Sequence, residues 1–377
     1  MYSSGLTMSS SVLSLIIFAI LFISAPPVLA DEQEYGTAIA VDLGRTYSRI
    51  GFAKNGLVEI IPNNLGHRHT PSRVSFTGGQ IIVGDAADTA CNIAATSKHL
   101  IGRRSEGMNV EEDLDNCPFT IASKHGRPII EVEHEGENRI FTPEDIFAML
   151  LRKMKETAEA YLEEKVTHAI VTVPAYSDDD QRQATRDAGA VAGLTILRII
   201  NEPTVAAIAH GLEKKRPRPG ADETYVIVYD LGGETFDVTV LSVDDGIFEV
   251  LATACDVNLG GENFDRRVRD HMAERYKKKT GADISKDLQA LLELQRESGK
   301  AKHTLSSQLF TKFKIESFEN GNNFSETLTR AEFEINKDLF ERTIILAEQV
   351  LNDSGKSKED IDDVGPIVCL REHDHIY

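Results

Sequence analysis

Cysteine is scarce in this chain and widely spaced: four in 377 residues, Cys91, Cys117, Cys255 and Cys369, with no CxxC pair. That excludes the common zinc and iron–sulfur ligand spacings and leaves free, mostly buried thiols as the expected state. Positive charge is short as well. Forty-one Lys and Arg stand against 60 Asp and Glu, a formal net charge of −19. A surface of that sign repels a phosphate backbone, so no nucleic acid partner is expected. The basic runs Lys214–Arg218 and Lys277–Lys279 read as solvated loop and helix ends. The apolar stretch Val12 to Ile23 falls short of the roughly 30 Å of hydrocarbon that a spanning helix must cross, so no membrane span is expected. With Val28-Leu29-Ala30 before Asp31 it reads as a secretory signal peptide over residues 1–30, although its n-region has no Lys or Arg. Export would make Asn323 and Asn352 glycosylation acceptors.

What is present is an internal repeat. Asp-Leu-Gly occurs at Asp42–Gly44 and again at Asp230–Gly232, each after an apolar run and before an alternating one. AIAVDLGRTYSRIGFAKNGLVEII and YVIVYDLGGETFDVTVLSVDDGIFEVL therefore share one order: strand, Asp-Leu-Gly, strand, glycine-containing turn, strand. Glycine lets backbone amides approach a phosphate, a hydroxyl such as Thr46 or Thr235 can bond its oxygens, and a strand-end Asp can hold the waters of a magnesium ion. A single copy is as well explained by a strand-ending turn; two in matched context point to a duplicated phosphate-gripping lobe.

The rest is consistent with a large α/β protein, and hydrophobic residues at 41 % allow a sizeable core. A helical stretch to Lys98 is expected after the first repeat, then strands around Ile121 to Phe141. Thr142-Pro143-Glu144-Asp145 opens a strong helix: Thr caps, Pro suits the first turn, and acids favour the dipole. Then follow the strand His168–Pro174, a helix to about Gly193, a short strand to Ile200 and a helix opened by Glu202-Pro203. Strands alternating with helices indicate a buried mixed sheet. A Pro-rich charged loop at Lys214 to Glu223 separates residues 31–220 from residues 221–377. After it come helices near Phe264 to Lys279 and Ile284 to Ser306, a hairpin through Asn320-Gly321 and a helix ending near Ser354. Gly355-Lys356-Ser357 mimics the end of a Walker loop but follows a helix, so it reads as a helix terminus. Glu372, His373, Asp374 and His375 read as a polar tail.

AVDLGRTYS, VTVPAY, RIINEPTVAAIAHGL, VYDLGGETFDV and NLGGENFD together resemble the nucleotide-binding domain of the seventy-kilodalton heat-shock chaperones, most of all the luminal members of the endoplasmic reticulum. The likeness runs from about Gly36 to about Asp362. It implies an α/β actin-like ATPase fold of duplicated lobes, with mixed sheets flanked by helices and a central nucleotide cleft. It also implies ATP and ADP with Mg2+ as cofactors, J-domain co-chaperones and nucleotide exchange factors as partners, and the endoplasmic reticulum lumen as location. By that likeness Asp42 and Asp230 hold the water shell of magnesium, with Glu202 beside them. Lys98 orients the attacking water, and Asp237 completes the polar ring. Gly44, Arg45, Thr46, Tyr47, Gly232, Gly233, Glu234 and Thr235 line the phosphates. Gly261, Glu262, Lys302 and Ser306 lie toward the nucleoside, and Pro174 and Arg182 relay its state.

The departures from the family pattern are specific. Arg45 stands where the family has threonine. Glu234 replaces a glycine, which places an anion near phosphate and is expected to force a side chain into a left-handed backbone. Gly299 and His303 replace a glutamate and an arginine, and the segment Gly84 to Lys98 is shorter. Where the family continues with a Gly-Gly-Ser-Thr-Arg adenosine loop this chain reads DDVGPIVCLREHDHIY, with no client-binding domain and no retention tetrapeptide, so secretion is also open. A second lobe incomplete at its C-terminus is expected to leave an apolar sheet edge. Two alternatives to an ATP-hydrolysing domain stay open: a nucleotide-independent protein competing for co-chaperones, and an inactive remnant.

Overall fold

The computed structural model describes residues 36–54, 57–77, 79–87, 97–98, 100–105, 119–134, 136–209, 211, 222–319 and 321–368. The signal-peptide segment, Cys91, Cys117, Cys369 and the 372–375 tail lie outside them. The chain divides into two compact units, Met1–Lys215 and Arg216–Tyr377. The expected boundary after residue 220 falls in the same loop, whose residues 212–221 lie outside the described ones.

The first unit begins with three antiparallel strands, β1 (Thr37–Leu43), β2 (Tyr47–Lys54) and β3 (Leu57–Ile60), with β4 (Thr70–Pro71) also on β2. Two small sheets follow: β5 (Val74–Thr77) with β6 (Gln80–Val83), and β7 (Phe119–Lys124) with β8 (Arg127–His134) and β9 (Glu137–Phe141). The strands at 70–83 correct the expected helical stretch, of which only a short piece at Ser97, Lys98 and Leu100 is helical among the described residues. VSFTGGQIIV is two β-prone runs about a Gly-Gly turn, a hairpin pattern that the reading passed over. Thr142 caps α1 (Pro143–Leu162) in a full capping box with Asp145. Ile146, Leu150, Met154 and Ala158 on one face of α1 are buried. β10 (Val166–Val173) lies parallel to β1 on one side and to β11 (Thr195–Asn201) on the other. It is buried without interruption from Ala169 to Val173, as befits an inner parallel strand. Between these strands runs α2 (Asp179–Val191), and α3 (Glu202–Ala209) follows β11 directly. One core joins Ile39, Val41, Leu43, Ile146, Leu151, Met154, Ala169 and Val171.

The second unit repeats the opening. β12 (Thr224–Leu231), β13 (Phe236–Asp244) and β14 (Ile247–Asp256) form an antiparallel meander. After α4 (Gly261–Thr280) and α5 (Leu288–Leu305), β15 (Phe310–Glu319) and β16 (Asn322–Thr329) make the expected hairpin. α6 (Lys337–Asp353) ends at Gly355, whose φ of 69° confirms the helix terminus. β17 (Asp363–Val368) then lies parallel to β12 from Val226↔Asp363 to Leu231↔Val368. The last described residues thus cover β12 as β10 covers β1, but among the described residues no strand pairs with β17 as β11 pairs with β10, so the expected edge lies at β17 rather than at β12. Leu231, Phe236, Val238, Leu259, Phe264 and Val350 form the core beneath this sheet. A second core of Tyr276, Phe313, Phe318 and Phe324 ties the hairpin to α4 and α5. Cys255 in β14 is half-buried and forms no disulfide. No helix among the described residues is long and apolar enough to cross a membrane.

Candidate functional site

Each unit carries one Asp-Leu-Gly turn, and strand register shows the two to be equivalent. Asp42 pairs with Arg49 and Leu43 with Ser48 across the first; Asp230 pairs with Asp237 and Leu231 with Phe236 across the second. Equal spans align Thr46 with Glu234 and Tyr47 with Thr235, so the two threonines expected to serve phosphate alike occupy different places in their turns. Close packing requires the glycine after the leucine in the first turn and leaves little room for a side chain at its counterpart in the second. A Cβ at Gly44 would fall 2.4 Å from the Tyr47 carbonyl oxygen, and one at Gly232 would fall 3.2 Å from that of Thr235.

In the first unit, Asp42 sits near the end of β1 with its side chain 35 % exposed. Thr172 Oγ1, from the neighbouring β10, donates to Asp42 Oδ1 at 3.0 Å, and the Arg49 guanidinium lies 3.7 Å from Oδ2. Lys98 Nζ donates to Glu202 Oε1 at 3.0 Å, and these side chains are only 14 % and 20 % exposed. Burial pushes the Glu202 carboxyl above its ordinary 4.5; the Lys98 charge opposes that shift and the nearby Asp42 charge adds to it. Thr46 Oγ1 is buried without a hydrogen-bond partner, while the Thr46 carbonyl accepts from Ser72 N at 2.9 Å. A fixed turn with an unsatisfied hydroxyl fits a phosphate oxygen. Tyr47 packs edge-on against His69 at 4.7 Å.

Pro174 and Arg182 join the same network. The Pro174 carbonyl accepts from Ser177 N at 3.1 Å, and the Ser177 carbonyl accepts from Arg182 Nε at 3.1 Å. Arg182 also donates to Asn201 Oδ1 at 2.6 Å, and Asn201 immediately precedes Glu202. A hydrogen-bonded chain thus runs from the end of β10 to Asn201, the covalent neighbour of the residue that holds Lys98. Thr172, Asn201 and Arg49 belong to this half-site and escaped the sequence reading. A Thr within a strand and an Asn at a strand end carry no signal of their own. The equal spacing of Arg49 and Asp237 from their Asp-Leu-Gly units was the available clue to the third.

Because the Glu202 pKa is raised on folding, the stability tied to its neutral form is present in full below about 4.5. It is lost as pH rises through the higher folded value. Glu202→Gln removes this titration. Denaturation midpoints measured from pH 4 to pH 7 are therefore expected to fall more for the wild type than for the variant. Equal slopes would show that Lys98 offsets the burial fully.

In the second unit the turn is braced by the start of α4. Gly232 N donates to the Thr235 carbonyl at 2.8 Å, Gly261 N to that of Gly232 at 3.0 Å, and Glu262 N to that of Gly233 at 2.7 Å. The amides of Gly261 and Glu262, expected toward the nucleoside, are therefore spent on holding the turn. Gly260 lies flat on Glu234: a Cβ there would fall 2.5 Å from the Glu234 backbone nitrogen. Glu234 itself has no left-handed backbone. Among the described non-glycine residues positive φ occurs at His125, Glu163, Asp245 and Ser317. The expected strain at Glu234 is thus corrected, because this turn reverses without a left-handed residue at that place, and only its charge remains to act. Lys302 Nζ, on α5, donates to Asp265 Oδ2 at 2.8 Å and to the Gly261 carbonyl at 2.9 Å, with the Lys302 side chain 8 % exposed. Ser306 Oγ caps its own helix on the Lys302 carbonyl. Lys302 is thus first a strut between α4 and α5, and Gly299 leaves room beside Asp265, a Cβ there standing 3.6 Å from Oδ2.

Among the described residues no group of three or more His, Cys, Asp and Glu is placed to bind a metal directly. A magnesium ion held here would therefore be bound through water, and at Asp42 those waters would compete with Thr172 and Arg49 for the carboxylate.

Two strand–turn–strand–strand repeats, each with a parallel strand on its first member and helices at its flanks, define an actin-like ATPase fold. The family model described as Hsp70 protein matches residues 38–368, and the chain belongs to that family. The matched region is a chaperone nucleotide-binding domain. Members of the family are ATPases that bind nucleotide with Mg2+ and work with J-domain proteins and exchange factors.

Proposed function

We propose that this chain binds ATP and ADP with magnesium and hydrolyses ATP as the nucleotide-binding domain of an endoplasmic-reticulum chaperone of the luminal type. The observation that carries the reading is the Lys98–Glu202 pair at 3.0 Å, in the same unit as Asp42 and the unsatisfied Thr46 hydroxyl. Phosphoryl transfer to water needs placement and charge neutralisation more than covalent help. Lys98, its ammonium fixed by Glu202, orients the attacking water and meets negative charge developing on the transferred group. Thr46 Oγ1 donates to a phosphate oxygen, and Gly232, Gly233 and Thr235 offer the second turn. Magnesium, when bound, neutralises the phosphate charge, and Asp230 holds it through water. The chain from Glu202 through Asn201, Arg182 and Ser177 to Pro174 links these groups to the rest of the first unit, a route by which co-chaperones sense nucleotide. The apolar segment before Asp31 supports luminal delivery.

Calorimetry of the full chain with Mg-ATP tests the reading. Binding in the micromolar range is expected, with Lys98→Ala retaining ADP binding while lowering turnover at least a hundredfold. No binding up to high micromolar nucleotide would remove it. That result would favour the competing reading, a nucleotide-independent partner of co-chaperones, for which the Glu234 carboxylate beside the second turn is the supporting observation.

A further inference from the structure

We infer that the cleft between the β7–β8 hairpin and the start of α1 binds a phosphate group, at a site lined by no residue of either Asp-Leu-Gly turn and independent of the nucleotide reading above. It lies wholly within the first unit. Arg103, Lys124, His125 and Arg127 line a cavity of about 240 Å³, in which Glu144 is the one carboxylate. Three permanent cations and a histidine therefore meet a single acid, in a chain whose net charge is −19. Buried Pro128, Ile129 and Pro143 complete the lining, and apolar walls strengthen the field of the charges beside them.

The fold holds these cations together against their repulsion. Lys124 and Arg127 pair directly across the end of the hairpin, where like charges at opposed positions are destabilising. The turn between them sets His125 and Gly126 at φ of 53° and 73°. Ser105 N donates to the Gly126 carbonyl at 3.0 Å and Gly102 N to Glu144 Oε1 at 3.1 Å, so the segment carrying Arg103 is tied both to that turn and to α1. Among the described residues no ion pair joins Arg103, Lys124 or Arg127 to a carboxylate. The neighbouring Asp145 carboxylate is engaged by the Thr142 amide and hydroxyl in the helix cap. A phosphate monoester brings close to two negative charges and three acceptor oxygens, which matches two guanidinium forks and an ammonium better than the single charge of a carboxylate does.

The test is calorimetric titration of the full chain with inorganic phosphate at constant ionic strength, for the wild type and for the double variant Lys124→Ala with Arg127→Ala. Both residues are exposed, so the fold is expected to survive; where the thermal midpoint shows otherwise, Arg127→Gln keeps the side-chain length and removes one charge. The double variant is expected to bind phosphate about tenfold more weakly or worse and Mg-ADP unchanged, while Arg127→Lys keeps most of the phosphate affinity. O-phosphoserine as a second titrant reads the source: binding as tight as that of phosphate assigns the site to a phosphorylated side chain, and weaker binding assigns it to the free ion. Phosphate binding that is absent from the wild type, or equal in the wild type and the double variant, overturns the inference. Binding that emerges only when Glu111, Glu112, Asp113 and Asp115 are changed to their amides assigns the cations to that stretch of the sequence instead, and overturns it as well.

Discussion

Lys302→Ala is expected to destabilise the second unit by about 3–5 kcal/mol, the cost of leaving one member of a buried ion pair without its partner. Lys302 Nζ bridges Asp265 at 2.8 Å and the Gly261 carbonyl at 2.9 Å, at a place where both side chains are about nine-tenths hidden from water. Removing the ammonium strands the Asp265 carboxylate and frees the first residue of α4. That residue is the one whose amide holds the Gly232 carbonyl. Stability and site geometry are therefore coupled, and the variant should lose nucleotide affinity along with its melting midpoint, by about 10 °C in a unit of this size. The double variant Lys302→Met with Asp265→Leu separates the effects. Removing both charges is expected to restore stability to within about 1 kcal/mol of the wild type or above it. Scanning calorimetry reads the outcome; a single variant as stable as the wild type would show that the pair is not buried in solution.

Glu234→Gly is expected to raise nucleotide affinity by about a hundredfold. A carboxylate ~5 Å from a phosphate, at an effective dielectric near 20, repels it by on the order of 3 kcal/mol. From the sequence the defect had two causes, charge and a left-handed backbone. The structure removes the second, because Glu234 does not have positive φ. Glu234→Gln should therefore restore affinity nearly as well as Glu234→Gly, since there is no left-handed backbone for the glycine to relieve. Calorimetric titration with Mg-ADP distinguishes the cases: recovery by Gly alone would mean that space rather than charge limits the turn. Gly260 packs so closely on the Glu234 backbone that a Cβ there would fall 2.5 Å from it, which leaves the turn little room to move aside and relieve the repulsion.

Much of this was legible in one dimension because it is local. The repeat of Asp-Leu-Gly, the cap at Thr142, the Asn320-Gly321 hairpin and the helix end at Gly355 depend on residues close in sequence, and the structure shows each of those elements. The hairpin at 74–83 was equally local, yet its Gly-Gly turn went unread beneath the expectation of a helix. β17 could not be seen at all. A six-residue strand with a central proline declares itself only by the partner it pairs with, and that partner lies more than 130 residues earlier in the chain.

The chain's own order of residues determined that it contains two like lobes, that each has an acidic strand end followed by a glycine turn, and that the turns differ in charge. Those are properties of spacing and composition, and they survive in the unfolded chain. Tertiary structure alone decided what the individual side chains do. Thr172 reaches Asp42 across 130 residues, Lys98 meets Glu202 across 104, and Lys302 is drawn onto Asp265 rather than outward. Such contacts depend on which strands and helices become neighbours. Burial then sets their strength, since a charge removed from water must find a partner and takes the one that packing places within reach.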